Sequence, residues 1–210
     1  FPSADSITLD MIRTHHAGIP SRNSLVYDEE SNVPNSLDSL VNAIAAMPLD
    51  YKPGSRSRYS NGGYAVLAYV IEKASGQSYA SYLEQAVLRP LGLAHTRHES
   101  DTDLVTNRAY GYMTDPASLH GLVVAPYQQM ATKTGGGSLV STADDLDRFL
   151  RAFHTSSLLK PATWNALFPP DSVDAFQGRC PGYNVTMTRS YRDDIDVIVF
   201  EARRMQRLEQ

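Results

Sequence analysis

The sequence has little of what usually assigns a chain quickly to a class. Its single cysteine, Cys180, excludes an intrachain disulfide and leaves the redox compartment open. Lysine and arginine number 19 against 23 acidic residues, and a net charge of -4 gives no electrostatic reason to expect nucleic acid or an anionic membrane as partner. We recognise no signal peptide, and no apolar run approaches the length of a membrane span.

An initiator methionine and a metal-binding pattern are also missing. The chain starts with Phe1-Pro2-Ser3, so we expect a processed product, a shortened chain or a fragment of a longer reading frame. His15-His16 and the pair His95 and His98 have no cysteines or acids at ligand spacing beside them, so we predict no metal and no cofactor. The length of 210 residues allows one substantial domain or two small ones.

The most informative residues present are Tyr59-Ser60-Asn61, just before an apolar run that starts at Gly62. On a tight turn, Tyr59 and Asn61 point their polar ends the same way, which offers a phenol for proton transfer and a carboxamide to hold a substrate carbonyl. Two plainer interpretations stay open. In the first, Tyr59 is a turn residue hydrogen-bonded under the helix, and in the second, Asn61 caps that helix.

Apolar spacing and helix-capping residues predict a mostly helical chain followed by strands. The C-terminal part predicts a β-hairpin, with strands over 184–189 and 195–200, and then an amphipathic helix from Glu201. Helices are predicted over 7–13, 36–47, 62–75, 79–88, 143–154 and 161–167, and short strands over 110–112 and 122–124.

Several segments, in order, resemble the superfamily of class C serine β-lactamases, DD-peptidases and related esterases. Residues 7–20 are similar to its "ITLRHLLTHTSGLP" stretch, residues 53–64 to its "PG…YSN.GY" block, and residues 136–142 to its "GGLVSTA.DL.RF" block. The resemblance implies an α+β fold with a helical lobe, here residues 1–168. It assigns residues 169–210, a hairpin and terminal helix, to a second lobe whose N-terminal strands are absent.

The same resemblance implies acyl transfer, with Tyr59 and Asn61 as catalytic residues and Gln177, Gly178 and Arg179 in the substrate-binding strand position. There Gln177 replaces a His or Lys of the family, and Arg179 replaces a Gly that lets substrate approach the backbone. The run from Phe168 to Gln177 leaves little room for the strand that usually comes before. His15 falls at a family position near a helix end, where we expect a structural role.

The family's Ser-x-x-Lys nucleophile motif has no convincing counterpart. Ser157-Leu158-Leu159-Lys160 matches its spacing, but Pro161 disfavours helical geometry at Lys160, so we reject it. Lys133-Thr134-Gly135 matches the family's K-T-G in letters but precedes the "GGLVST"-like stretch, and a glycine-rich loop is the favoured interpretation.

We therefore expect a β-lactamase-like serine hydrolase acting on a small acyl substrate (β-lactam, D-Ala-D-Ala peptide or ester), inactive as this chain alone. The alternative is a non-catalytic binding or scaffolding pseudoenzyme of the same fold. Loss of the family's central helix should uncover apolar surface on residues 64–71, leading to a homo-oligomer or to complementation by an N-terminal fragment. Family members are often exported, which leaves the compartment of this chain open.

Overall fold

A computed structural model of the chain describes residues 4–21, 36–99, 104–128, 130–155, 158–167, 173–190 and 192–204. The chain divides into two compact units. The first unit comprises Phe1–Gln85, His98–Thr102 and Gln129–Leu139, and the second comprises Ala86–Arg97, Asp103–Gln128 and Val140–Gln210.

Six α-helices and eight strands are formed by the described residues. The helices are α1 (Leu9–Arg13), α2 (Leu37–Ala45), α3 (Asn61–Ser75), α4 (Tyr79–Leu83), α5 (Ala143–Thr155) and α6 (Pro161–Leu167). The strands are β1 (Arg97–His98), β2 (Tyr112–Thr114), β3 (Leu122–Val124), β4 (Leu139–Val140), β5 (Val173–Cys180), β6 (Tyr183–Ser190), β7 (Ile195–Glu201) and β8 (Arg203–Arg204). Short 3-10 helices cover Ala4–Ser6 and Met130–Lys133, and a π-helical turn covers Glu84–Leu88.

Capping residues set the ends of the helices in the first unit. The hydroxyls of Thr8, Ser36 and Ser78 each accept a backbone N–H of the first turn of α1, α2 and α4. These hydroxyls satisfy N–H groups that would otherwise have no partner inside the helix. At the other end of α3, Gly76 adopts a left-handed conformation with φ of 69° and closes the helix, as the sequence predicts.

The core of the first unit lies between α1, α2 and α3. Apolar side chains from one face of each helix meet there, and the loop after α1 adds two more. The buried members are Ile12, Ala17, Ile19, Leu40, Val41, Ile44, Ala65 and Val66. This core fixes the start of α3 against the α1 loop, and that is where the candidate site lies.

In the second unit a three-stranded antiparallel sheet has the order β5-β6-β7. Leu150 of α5 and Trp164 of α6 are buried, and Phe176, Met187 and Ile198 pack against them from the sheet. A smaller sheet has the order β3-β2-β8, in which β8 runs parallel to β2. Strands β1 and β4 form a two-stranded sheet.

The C-terminal prediction needs two corrections. The predicted hairpin forms two strands of a three-stranded meander, because β5 pairs with β6 over Val173–Cys180. The segment where we expect little room for a preceding strand contributes to β5, which starts at Val173 and itself carries Gln177. The predicted terminal helix is also wrong at its start, because Glu201 ends β7 and residues 203–204 form β8. Residues 205–210 lie outside the described residues.

Exposed apolar surface is found at a place that we did not predict. Residues 64–71 of α3 are all buried or half-buried, so the expectation of an uncovered face on this helix is wrong. One group of exposed apolar side chains lies on β7, where Ile195 is 54% exposed, Val197 51% and Val199 44%. Alternate residues of a strand point to one side, so these three share a face. Within the described residues no helix is both long enough and apolar enough to cross a bilayer.

Candidate active site

The turn before α3 brings Tyr59 and Asn61 together. The Tyr59 hydroxyl donates a hydrogen bond to Oδ1 of Asn61 at 2.9 Å. Tyr59 is 63% exposed, so its ring is not held under the helix. The prediction that the phenol and the carboxamide point the same way is confirmed, and Tyr59 is a hydrogen-bonded turn residue whose ring is exposed and does not lie under the helix.

Ser60, rather than Asn61, caps α3. Its extended backbone precedes the helix, and its hydroxyl accepts the N–H of Gly63 at 2.9 Å. Asn61 is the first helical residue, and its own N–H donates to Oγ of Ser21 at 3.1 Å. The capping interpretation of Asn61 is therefore wrong, and its side chain instead accepts the Tyr59 hydroxyl.

His15 holds this turn from the other side. Its backbone is left-handed, with φ of 62°, and Nδ1 of its ring accepts the N–H of Ser60 at 3.2 Å. The ring centroid lies 4.7 Å from that of Tyr59 and 5.1 Å from that of Tyr64. Burial, followed by the charge of neighbouring His16, lowers the pKa of His15 below 6.5.

Glycines allow the backbone of the first unit to approach α3 closely. A Cβ on Gly62 would lie less than 3.0 Å from the carbonyl oxygen of Pro20, and one on Gly135 would lie less than 3.0 Å from that of Tyr64. A Cβ on Gly136 would lie 3.4 Å from Oδ1 of Asn61. The glycine-rich segment after Lys133 therefore runs beside the carboxamide.

The substrate-strand candidates Gln177, Gly178 and Arg179 lie on β5 in the second unit and are exposed. Nη2 of Arg179 donates to Oε1 of Gln177 at 3.2 Å, as expected for side chains two residues apart on one face of a strand. A Cβ on Gly178 would find no atom within 4 Å. At the end of β5, Gly182 adopts φ of +81° and packs against Gly111.

The described residues of the two letter matches to family motifs, 133–135 and 158–160, lie outside the α-helices. Lys133 ends a 3-10 helix, and the buried Thr134 lies 3.2 Å from Nε2 of His98 through its hydroxyl, so this segment is a loop, as we predict. The carbonyl of Lys160 accepts the N–H of Trp164 at 3.0 Å, which places Lys160 before α6 and outside a helix. Ser157 lies outside the described residues.

His95 and His98 have different neighbours in the structure. Nδ1 of His95 lies 3.9 Å from the buried carboxylate of Asp145, whereas His98 lies beside Thr134 and the Tyr79 ring. Over the described ranges no group of three or more His, Cys, Asp or Glu residues is arranged to hold a metal ion.

Sequence reasoning missed three neighbours of the candidate pair. His15, Ser21 and Gly136 contact or approach Ser60 or Asn61 from 40 or more residues away along the chain. The motif Ser60-Asn61-Gly62-Gly63 carries no signal for those partners. The one available hint is Gly136 itself, inside the Gly135-Gly136-Gly137 run.

Sequence comparison places the chain among β-lactamase-like proteins. The profile of the family described as Beta-lactamase matches residues 1–191. The putative penicillin-binding protein PbpX of Bacillus subtilis (strain 168) is 26% identical over 214 residues, covering 95% of this chain and 52% of PbpX. The mitochondrial serine beta-lactamase-like protein LACTB of Bos taurus is 35% identical over 136 residues, covering 63% of this chain and 24% of LACTB. The chain thus spans about half of PbpX and about a quarter of LACTB.

Structural comparison agrees. A D-amino acid amidase from Ochrobactrum anthropi SV3 matches 100% of this chain and 69% of its own with a TM-score of 0.82 at 18% identity. A penicillin-binding protein from Bacillus halodurans matches 94% of this chain and 68% of its own, with a TM-score of 0.79 at 20% identity. An octameric penicillin-binding protein homologue from Pyrococcus abyssi matches 93% and 52%, with a TM-score of 0.71 at 21% identity. The fold is therefore α+β and β-lactamase/transpeptidase-like, and the chain belongs to the beta-lactamase family, whose members are serine hydrolase-like proteins.

Proposed function

We propose that this chain is part of a serine hydrolase that transfers the acyl group of a β-lactam, a D-Ala-D-Ala peptide or a small ester. The observation that carries the proposal is the 2.9 Å hydrogen bond between the exposed Tyr59 hydroxyl and Asn61 at the start of α3. These substrates share a reactive acyl carbonyl, so one proton-transfer group and one carbonyl-binding amide suit all of them.

The two side chains have different roles in this proposal. Oδ1 of Asn61 accepts the Tyr59 hydroxyl, which leaves the Asn61 NH₂ group to donate to a carbonyl oxygen of the substrate. Tyr59 passes a proton between the nucleophile and the leaving group. A phenol has a pKa of about 10, so it works as a base near neutrality only when a neighbouring cation stabilises the phenolate.

Residues of β5 and a nucleophile from outside the chain have the remaining roles in the proposed reaction. Gln177, Gly178 and Arg179 bind the substrate along the strand, and the uncrowded Gly178 leaves room for a close approach. The oxyanion hole uses a strand N–H together with the N–H of the nucleophile. The chain has four lysines, and Ser157-Leu158-Leu159-Lys160 is its single Ser-x-x-Lys. Because Lys160 lies before α6, we assign the nucleophile to residues outside these 210.

Under this proposal the 210-residue chain alone is inactive. We expect it to hydrolyse neither nitrocefin nor a short p-nitrophenyl ester, whereas the product of the reading frame extended upstream hydrolyses at least one of them. In the extended protein, Tyr59→Phe should lower kcat by about 100-fold or more, the usual contribution of a general acid or base.

Tyr110→Phe is the matched control, because Tyr110 is also an exposed tyrosine of this chain (70%). Its kcat should equal that of the unaltered protein. An extended protein that keeps its activity in Tyr59→Phe would refute the role of Tyr59. Turnover by the 210-residue chain that disappears in Tyr59→Phe would refute its inactivity.

A pseudoenzyme is the second candidate function. It is favoured by the Arg179–Gln177 hydrogen bond on β5, where the resembling family carries a His or Lys and a Gly. This candidate predicts an extended reading frame without Ser-x-x-Lys and a product that binds a D-Ala-D-Ala peptide in calorimetry without hydrolysing it. A Ser-x-x-Lys upstream, together with turnover, would exclude it.

We keep two lobes, residues 1–168 and 169–210, as part of the proposal.

We also propose that the chain associates with itself or with an N-terminal fragment, supported by the apolar face of β7. Sedimentation should then give a mass above that of a monomer, or a complex with the added fragment. A monomer that melts cooperatively and does not bind the fragment would contradict the proposed association.

A further inference from the structure

Two hydrogen bonds to its carbonyl oxygen hold the backbone of His15. Its carbonyl oxygen accepts both the N–H of Arg58, at 3.0 Å, and the hydroxyl of Tyr51, at 2.8 Å. Its φ of 62° lies in the left-handed region, which is uncommon for residues other than Gly, although His, Asn and Asp adopt it more often than other types. Two backbone-directed hydrogen bonds thus hold this unusual conformation in place.

The left-handed conformation presents the imidazole to the candidate pair. Nδ1 lies 3.2 Å from the N–H of Ser60, the residue between Tyr59 and Asn61. A backbone N–H can only donate, so Nδ1 must be unprotonated and the neutral ring carries its proton on Nε2. The ring also lies against Tyr59, with centroids 4.7 Å apart and planes 45° apart.

We propose that His15 is the positioning residue for Tyr59 and Asn61, and that its neutral ring holds the Tyr59 hydroxyl on the Asn61 carboxamide. Protonation at Nδ1 removes the acceptor of the Ser60 N–H, because the ring nitrogen becomes a donor that faces another donor. It also places a cation beside the Tyr59 ring. The turn then loosens, and the Tyr59–Asn61 hydrogen bond is lost in the acid form. This inference rests on the proposed function only in one respect, namely that the proposed function makes Tyr59 and Asn61 catalytic residues.

The groups around the imidazole make the neutral form the ordinary one. Tyr59 and Tyr64 face the ring, and His16 is the neighbouring titratable group. Arg58 directs its guanidinium to Asp50, with Nη1 to Oδ2 at 3.3 Å. Within the described residues, the hydrogen bond and ring contacts of the His15 imidazole involve no carboxylate, and burial together with His16 lowers its pKa. Both effects favour the neutral ring over the imidazolium.

The test is a pH titration of the isotope-labelled 210-residue chain by NMR, which needs no substrate and no nucleophile. We expect the His15 ring, the Ser60 amide and the Tyr59 ring signals to shift with one shared midpoint below 6.5. Tyr59 signals that do not move through the His15 titration would overturn the proposal. An inactive protein that shows the coupled titration would leave this inference standing and count only against acyl transfer.

Three variants separate the ring from the backbone. His15→Asn suits a left-handed φ and keeps a side-chain acceptor, so the Ser60 amide should stay near its original shift while the acid transition disappears. His15→Gly also suits that φ but has no acceptor, so the Ser60 and Tyr59 signals should move to their acid positions at all pH values. His16→Asn removes the second cause of the lowered pKa, so the shared midpoint should rise while the His15, Ser60 and Tyr59 signals still titrate together.

The variants also distinguish positioning from simple support of the fold. In the extended protein, His15→Gly should lower kcat at least about tenfold with little change in KM, and His15→Asn should restore most of it and flatten the acid limb of the pH profile. Signals of Ser60 and Tyr59 unchanged in His15→Gly would refute the proposal. If His15→Gly fails to fold, the titration of the unaltered chain and of His15→Asn decides the matter.

Discussion

Replacing Gly62 with alanine sets two opposing effects against each other at the start of α3. Alanine is favoured over glycine in a helix by about 1 kcal/mol, because it restricts the unfolded chain and forms helix more readily. A Cβ at this position, however, would lie less than 3.0 Å from the carbonyl oxygen of Pro20 and 3.4 Å from its carbonyl carbon. Both atoms are backbone, so no side-chain rotation relieves the overlap.

The steric effect should win. The loop carrying Pro20 has to move away from α3, and it also carries the Ser21 hydroxyl that accepts the Asn61 N–H. Forcing an extra methyl into a packed site costs typically about 1–3 kcal/mol, and the helix gain at a second helical position is below its full value. We expect Gly62→Ala to lower the free energy of unfolding by about 1–2 kcal/mol, which lowers Tm by roughly 2–8 °C for a chain of this size.

The assay is thermal and urea unfolding followed by far-ultraviolet circular dichroism. Gly137→Ala is the matched control, because Gly137 lies in the same unit and a Cβ there would meet nothing within 4 Å. Its Tm should stay within about 2 °C of the unaltered chain, since such substitutions rarely exceed about 0.5 kcal/mol. A Gly62→Ala chain as stable as the original, or more stable, would show that the Pro20 loop does not press on α3 as described.

Three further predictions concern stability. Ser60→Ala should cost about 1 kcal/mol because the Gly63 N–H loses its cap, and Ser60→Thr should recover most of it in urea unfolding; equal loss in both would contradict the capping role. Arg189→Met should lower the free energy of unfolding by about 3 kcal/mol, because the Asp196 carboxylate, whose side chain is 3% exposed, loses its 2.6 Å partner. The double variant with Asp196→Leu should regain most of that loss, and a persistent deficit would contradict the prediction. Because the pKa of His15 lies below 6.5, the unfolded chain binds its proton first, so stability should fall as pH drops below about 6.5. His15→Asn should reduce that fall, and an unchanged pH dependence would argue against it.

Local sequence signals located most of the helices. Thr8, Ser36 and Gly76 act at the ends that their chemistry predicts, since a cap needs only the residues of one turn. Pro161 likewise starts α6. Ser60 is the cap of α3, although Asn61 beside it is an equally good capping residue by type, because Asn61 lies one position inside the helix.

The errors concern elements that depend on distant partners. Strand β5 carries Gln177 and Gly178, which favour strands weakly, and it forms because β6 pairs along its whole length. Residues 203–204 look like part of an amphipathic helix but pair with Tyr112 and Met113, about 90 positions earlier. Neither pairing leaves a periodic pattern in the segment itself, so propensity alone favours the wrong structure.

The candidate site divides in the same way. The direction of Tyr59 and Asn61 follows from two residues of spacing on a turn, and the 2.9 Å hydrogen bond confirms it. The contribution of His15 depends on a left-handed backbone and on contacts 45 residues apart, neither of which its own sequence neighbourhood indicates. The catalytic assignments of Tyr59 and Asn61 remain predictions.

The most direct test of the central claim is covalent labelling with a fluorescent penicillin, followed by mass spectrometry of the labelled peptide. We predict no label on the 210-residue chain, and a label on the serine of a Ser-x-x-Lys motif in the protein extended upstream. A penicilloyl group on any serine within the 210 residues would contradict the account, because the attacking hydroxyl would then belong to this chain.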